Sequence, residues 1–158
     1  MKLTNSVFLK IIANTPIVSF DLIITNRQNH VLLGLRKNRP AQGYWFVPGG
    51  RIMKDELLEE AFLRITKDEL KIAIPLNAEN FLGVYQHKYS DNFAGKEGIS
   101  THYIVLAVKI LLDLETDLIP RSQHSDLKWW GVEDLLADDE VHPYTKAYFN
   151  QDQKTKVI

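Results

Sequence analysis

The sequence predicts an α/β or α+β sandwich, a mixed β-sheet sandwiched between helices. Three features point there. Apolar, β-branched runs recur at 17–24, 31–35, 81–89 and 102–112, as expected of strands. A strongly amphipathic stretch at 56–70 interrupts them, and further helical patterns follow. Strands and helices in that order pack as layers around one core.

Near the start, Val7, Phe8, Ile11 and Ile12 recur at helical spacing behind Thr4 and Asn5, candidate caps of a short amphipathic helix. From Pro16 the texture changes to strand. The first apolar run ends at the turn former Asn26, and the run 31–35 follows as its pairing partner. Tyr44-Trp45-Phe46-Val47 reads as a third, short strand. Pro48-Gly49-Gly50 stops it, because proline cannot continue a ladder and glycine permits unusual backbone angles, so a loop is expected next. Asp55 is placed to cap the helix 56–70, where Leu58, Phe62 and Ile65 form an apolar stripe opposite a charged face. Beyond it lie the strands 81–89 and 102–112, a short strand at Lys128-Trp129-Trp130, and helices near 132–137 and 143–150. Trp129 and Trp130 read as core or interface aromatics, and Asp138-Asp139-Glu140 as a solvated helix end.

The chain of 158 residues carries 19 Lys plus Arg against 20 Asp plus Glu, a net charge of −1, and is 45% hydrophobic. Such a chain buries roughly two-thirds of its unfolded surface, enough for one soluble domain spanning 1–158. It contains no Cys, which excludes disulfides, thiolate zinc sites, Fe–S clusters and thiol catalysis and leaves cytoplasm as the default compartment. No apolar run suits a signal-peptide core or approaches the roughly 20 residues of a membrane span. Neither export nor membrane insertion is expected. Balanced charge speaks against a nucleic-acid surface, so an anionic small molecule would have to be met locally.

The stretch from Gly49-Gly50-Arg51 to Asp55-Glu56, followed by Arg64 and Asp68-Glu69, carries the most chemistry. A glycine turn feeding a helix lets backbone groups approach a ligand, Arg51 can fork onto phosphate oxygens, and Glu69 offers hard oxygens to a divalent cation. In an unbroken helix the thirteen residues from Glu56 to Glu69 span about 20 Å. Both then cannot hold one ion unless the helix starts later. Glu69 is therefore the candidate ligand, and Glu56 either pins the glycine loop or pairs with Arg64. Helical Glu and Arg are commonly a solvated face and nothing more; the glycine turn is what favours a site.

Gly50, Glu56, Arg64 and Asp68-Glu69 resemble the Nudix box, Gly-x5-Glu-x7-Arg-Glu-x-x-Glu-Glu-x-Gly. Three positions depart: Ile65 and Asp68 stand where the box has Glu, and Lys71 where it has its closing Gly. Loss of the carboxylate at Ile65 argues against the several-metal attack at phosphorus usual in that superfamily, and for one metal. The run from Asn38-Arg39-Pro40 to Gly50-Arg51, with Asp91-Asn92-Phe93 and Thr101-His102-Tyr103, is similar to the GDP-mannose mannosyl hydrolase branch, over about 15–149. That resemblance implies a Nudix fold and a homodimer. It also implies hydrolysis of GDP-mannose and GDP-glucose at the sugar carbon, with one Mg2+ per subunit.

It further implies that Gly49, through its carbonyl, Glu69 and Gln123 hold the metal, that His124 is the general base, and that Arg36 and Arg51 bind the diphosphate. On residues alone, a loop His such as His124 is commonly a solvated surface group, although Gln123-His124 in a polar loop can offer an amide oxygen to a cation and an imidazole to water. A single base suffices if the leaving diphosphate is neutralised by cations, since no general acid is then required. Lys37 and Arg39 read as an ordinary basic turn. Asp21 interrupts an apolar strand, where a carboxylate must face solvent, an Arg or a ligand hydroxyl; it resembles the family's sugar-side carboxylate. His87 and Tyr89 alternate on one strand and share a face, with Gln86 and Lys88 on the other. The resemblance sets His87 and Tyr89 against sugar and diphosphate, and Tyr103 and Phe8 on guanine, one from each subunit; core packing is the alternative for both aromatics. Two rival functions stand beside this one: a conventional diphosphatase cleaving at phosphorus, and a nucleotide-sugar sensor without turnover.

Overall fold

The structure, a computed structural model, describes residues 2–113 and 124–150, and for 124–126 the backbone alone. Helix α1 (Asn5–Asn14) leads into β1 (Ile17–Thr25), β2 (Val31–Arg36), β3 (Trp45–Phe46) and β4 (Gly49–Arg51). Then come α2 (Leu58–Leu70), β5 (Phe81–Tyr89), β6 (Thr101–Leu111), β7 (His124–Trp130), α3 (Val132–Ala137) and α4 (Pro143–Ala147). Thr4 caps α1, its hydroxyl accepting from the Val7 N–H at 3.3 Å.

The expected mixed sheet is present, and it splits into two arms. β1 and β2 pair only where Thr25 faces Val31, at the hairpin between them. Beyond that point β1 turns to β6, in parallel over 17–25 against 103–111, and on its other side to β4. β2 pairs instead with β3 and β7, and β5 extends the first arm beside β6. Alternation along β1 separates two environments. Phe20, Leu22 and Ile24 point toward α2 and join Phe62, Ile65 and Leu70 in one core cluster, while Ser19 and Asp21 point to the opposite face. A second cluster lies under α3 and α4, with Leu33, Phe46, Trp130, Leu135 and Val141 at its centre. Trp130 is thus core, and Trp129 packs against the first cluster.

Five local expectations are corrected. Gly49-Gly50-Arg51 is not a loop but a strand, paired with β1 as Asp21–Gly49, Phe20–Gly50 and Ser19–Arg51; long-range pairing overrides the local turn signal. Helix α2 starts at Leu58, so Glu56 precedes it. Asp55 is no cap: its φ of 70° is left-handed and its carboxylate pairs with Lys54, while Glu60 accepts from the Leu57 N–H at 3.0 Å. β7 runs four residues further toward the N-terminus than Lys128, to His124, because β2 templates it. Helix α4 ends at Ala147 rather than near 150.

One buried side chain shapes the connection between β5 and β6. Asn92 is fully buried, and its amide donates to Lys96 O at 2.7 Å and Ile99 O at 2.8 Å while its oxygen accepts from the Ala94 and Lys96 N–H groups. All four of its hydrogen-bonding positions are used. Phe93, beside it, meets Phe8 of α1 at 5.2 Å between ring centroids.

Helix α2 ends on Lys71 at φ 57°, a left-handed conformation that glycine adopts without strain. Lys71→Gly is therefore expected to stabilise the fold by about 0.5–1 kcal/mol, seen as a higher urea midpoint at unchanged slope.

Candidate active site

A cavity of about 260 Å³ opens on the face of β1 turned away from α2. Seven side or main chains singled out from sequence meet in its wall: Asp21 from β1, Arg36 from β2, Gly49 and Arg51 from β4, His87 and Tyr89 from β5, and Tyr103 from β6. Strand alternation does this, since His87 pairs with Tyr103 and Tyr89 with Thr101 across β5 and β6. Gln86 and Lys88 lie exposed on the other face, as expected. Arg36 is held by its Nε, which donates to Pro40 O at 2.8 Å, and stands over the Phe46 ring. Arg51 lies 4.4 Å from the centre of the Phe8 ring, so Phe8 supports a guanidinium that faces the cavity. Lys37 and Arg39 are exposed, and Arg39 stands 4.0 Å from Asp91.

The glycines of β4 are there by necessity. A Cβ on Gly49 would lie 2.3 Å from the Phe20 carbonyl oxygen and 3.1 Å from Asp21 Oδ1, and one on Gly50 3.1 Å from Ile65. Ile65, where the box has Glu, is 2% exposed and belongs to the core beneath the glycine strand. Glu69 sits one turn further along the same face of α2 and is 4% exposed. It is not in the wall of the cavity.

Of the two alternatives for Glu56, the structure has the pairing with Arg64, and it is Arg64 that reaches the glycine strand. The Glu56 carboxylate accepts from Arg64 Nε at 2.6 Å and Nη2 at 2.8 Å, and from the Met53 N–H at 2.8 Å, while Arg64 Nη2 also donates to Arg51 O at 3.0 Å. The pair thereby ties α2 to the carbonyl side of β4. Arg64, mainly through those hydrogen bonds, holds the Glu56 carboxyl down at about 2, and Glu56 in turn raises Arg64.

At one end of the cavity Asp21 meets residues that sequence reading passed over. Tyr148, just past α4, donates from its hydroxyl to Asp21 Oδ2 at 2.5 Å, and the Tyr148 hydroxyl oxygen also stands 3.5 Å from His87 Nε2. The His87 ring stacks on Tyr144 at 4.3 Å with 6° between planes, and His142 packs against Phe46, Tyr89 and Tyr144. Burial pushes the Asp21 carboxyl up to about 7, opposed by the Tyr148 hydrogen bond and the nearby Arg36. Burial likewise pushes His87 down to about 3, with His142 adding to it, and His142 down to about 4, with Arg36 adding to it. Tyr89, Tyr103 and Tyr148 are all raised by burial. Both rings are neutral near pH 7, and both are weak bases. The only sequence signal for this cluster is the His-Pro-Tyr run at 142–144 with Tyr148 after it, which by itself reads as a helix start.

Two expected residues fall at the edge of what is described. Gln123 lies outside the described residues. His124 opens β7, and its Cα pairs with that of Arg36, a residue in the cavity wall. Among the described residues, no cluster of three His, Asp or Glu side chains is arranged to hold a metal. A cation here would need a main-chain or amide donor beside Glu69. Glu69 offers hard oxygens of the kind a divalent ion takes, and the glycine strand packs on Ile65, one turn before it on α2, through Gly50.

The family model described as NUDIX domain matches residues 15–151. The low-salt glycan biosynthesis protein Agl8 of Haloferax volcanii is 39% identical over 141 residues, 89% of this chain and 84% of that protein. The MutT protein from Methanosarcina mazei Go1 superimposes with a TM-score of 0.66 at 21% identity, covering 86% of this chain and 92% of that one. The MutT NUDIX hydrolase from Burkholderia pseudomallei gives a TM-score of 0.66 at 24% identity, over 90% and 100%.

The low Glu56 value carries a stability consequence. A carboxyl depressed from its ordinary 4.5 to about 2 on folding adds stability above the unfolded value, and that contribution disappears as pH falls from 4.5 toward 2. The melting temperature of the wild type is expected to drop more steeply over that window than that of Glu56→Gln, followed by circular dichroism.

Proposed function

The chain belongs to the Nudix family, and on that footing we propose that it hydrolyses GDP-mannose and GDP-glucose to GDP and free sugar. Water attacks the anomeric carbon, with inversion. Nudix hydrolases generally act on nucleoside diphosphate derivatives. The observation that carries the finer reading is the composition of one cavity wall: two guanidinium groups, Arg36 and Arg51, together with a hydroxyl-binding end at Asp21 and His87. The first pair suits a diphosphate and the second a sugar. The relative from Haloferax volcanii is named for glycan biosynthesis, which supports a sugar-bearing ligand. Ile65, buried in the core, removes a box carboxylate and so favours chemistry at carbon over cleavage at phosphorus.

Gly49 through its carbonyl, Glu69 and Gln123 would hold one divalent cation, Mg2+ in this reading, which when bound supplies positive charge against the diphosphate. Arg36 and Arg51 grip the diphosphate from the protein side and stabilise GDP as it departs, so no acid has to protonate it. Asp21 accepts from a sugar hydroxyl. His124 takes the proton from the attacking water. The two imidazoles of the cavity end are poorer candidates: His87 and His142, at about 3 and 4, hold a proton too weakly to serve as the base near neutral pH. Tyr103 and Phe8 are the aromatic faces assigned to guanine, one from each subunit of a homodimer.

Turnover in ¹⁸O water tests the site of attack. Label is expected in mannose with unlabelled GDP; label in GDP, or GMP and mannose 1-phosphate as products, defeats the proposal. Separately, His124→Ala is expected to lower kcat by roughly 10²-fold to 10⁴-fold with little change in KM, measured by GDP release; an unchanged kcat removes His124 from the reaction.

A further inference from the structure

Tyr148 does not line the cavity wall, yet it touches the carboxylate that does. The segment that carries it is fastened on two sides. Toward β3, the Trp45 N–H donates to Glu140 O at 2.8 Å and the His142 N–H to Trp45 O at 3.1 Å. Toward β5, the Tyr144 hydroxyl accepts from the Lys88 N–H at 3.0 Å and donates to Lys88 O at 2.9 Å. The Tyr148 ring meets Tyr85 edge-on at 4.7 Å. Its hydroxyl is thus held in place by groups independent of Asp21.

Asp21 presents two oxygens, and the structure gives them different surroundings. Oδ2 accepts from Tyr148. Oδ1 lies over Gly49, 3.1 Å from where a Cβ on that residue would stand. An aspartate χ2 is a broad, two-fold torsion, so without an outside donor either oxygen can turn toward the cavity.

We propose that Tyr148 is a positioning residue for ligand binding: by engaging Oδ2 it fixes the Asp21 carboxylate so that Oδ1 is the acceptor for one hydroxyl of the sugar end of a nucleotide sugar. This deepens the reading of Asp21 as the sugar-side carboxylate and rests on it. It also separates the two ends of the ligand, because Tyr148 acts on the sugar and not on the diphosphate, which Arg36 and Arg51 hold.

The test compares a ligand with and without sugar. In Tyr148→Phe, which keeps the ring against Tyr85, KM for GDP-mannose is expected to rise about tenfold or more, the range for a hydrogen bond to a charged group. The inhibition constant of GDP should stay within about twofold of wild type, and kcat should fall less than KM rises. Equal weakening of both ligands, or of neither, overturns the proposal. Asp21→Asn should reproduce the loss of discrimination, and adding Tyr148→Phe to it should cost nothing further; additive effects show that Tyr148 does not act through Asp21. If Tyr148→Phe does not fold, the same two ligands are measured with Tyr148→Leu, which also removes the hydroxyl, and equal weakening of both, or of neither, overturns the proposal. Should the wild type ignore GDP-mannose, the function proposed above fails by itself, and the same pair of measurements is made with whichever of a panel of GDP-, UDP- and ADP-hexoses it accepts and the matching diphosphate. If it accepts none, both proposals fall.

Discussion

The closeness of β4 to β1 is the constraint on which the rest depends. Position 49 admits no side chain, because the Phe20 carbonyl occupies the space a Cβ would need. That contact lets a three-residue strand run against β1 with Gly49 facing Asp21 and Arg51 facing Ser19. Arg51 is thereby aimed along the same face of the sheet as Asp21, and Gly50 is turned to meet Ile65 on α2. A cavity wall and a helix seat are produced by one pair of glycines. The Pro48 carbonyl extends the contact by accepting from the Leu22 N–H at 2.9 Å.

The cavity itself follows from the way the two arms of the sheet part company after Thr25 and Val31. One arm supplies Asp21, His87, Tyr89 and Tyr103, the other Arg36, and β4 adds Arg51 between them. Apolar residues of β1 fill the space on the α2 side, so polar groups collect on the other. Burial at that end depresses the imidazoles and lifts the tyrosines and Asp21. The positive groups there are the guanidinium groups of Arg36 and Arg51. An anion entering the cavity meets both of them on one wall.

Much of this was legible in the sequence because strands announce themselves by alternation. The pattern of β5 placed His87 and Tyr89 on one face and Gln86 and Lys88 on the other, and that is how they lie. Asp21 stood out as a carboxylate in an apolar run, and it is buried at 8% exposure with a partner. What stayed hidden depends on contacts distant in sequence. Gly49-Gly50 carries every local mark of a turn, and only pairing with β1, some thirty residues earlier, makes it a strand. Tyr148 stands 127 residues from Asp21, and no periodicity links them. The start of α2 was misplaced because Asp55 is a good cap by type, whereas Glu56 is drawn away to Arg64 and holds the preceding backbone out of helix.

The segment between β5 and β6 keeps its shape by a different economy. The amide of Asn92 ties down four of its backbone groups at once, and Gly95 and Gly98 turn the chain with left-handed backbone angles. An engineer could therefore exchange the exposed side chains of Lys96 and Glu97, short of a proline at 96, whose N–H and carbonyl both bond to that amide, provided Asn92, Gly95 and Gly98 are left alone. Phe93 would keep its seat beside Phe8, and the new side chains would be displayed on a segment that contributes nothing to the cavity lining.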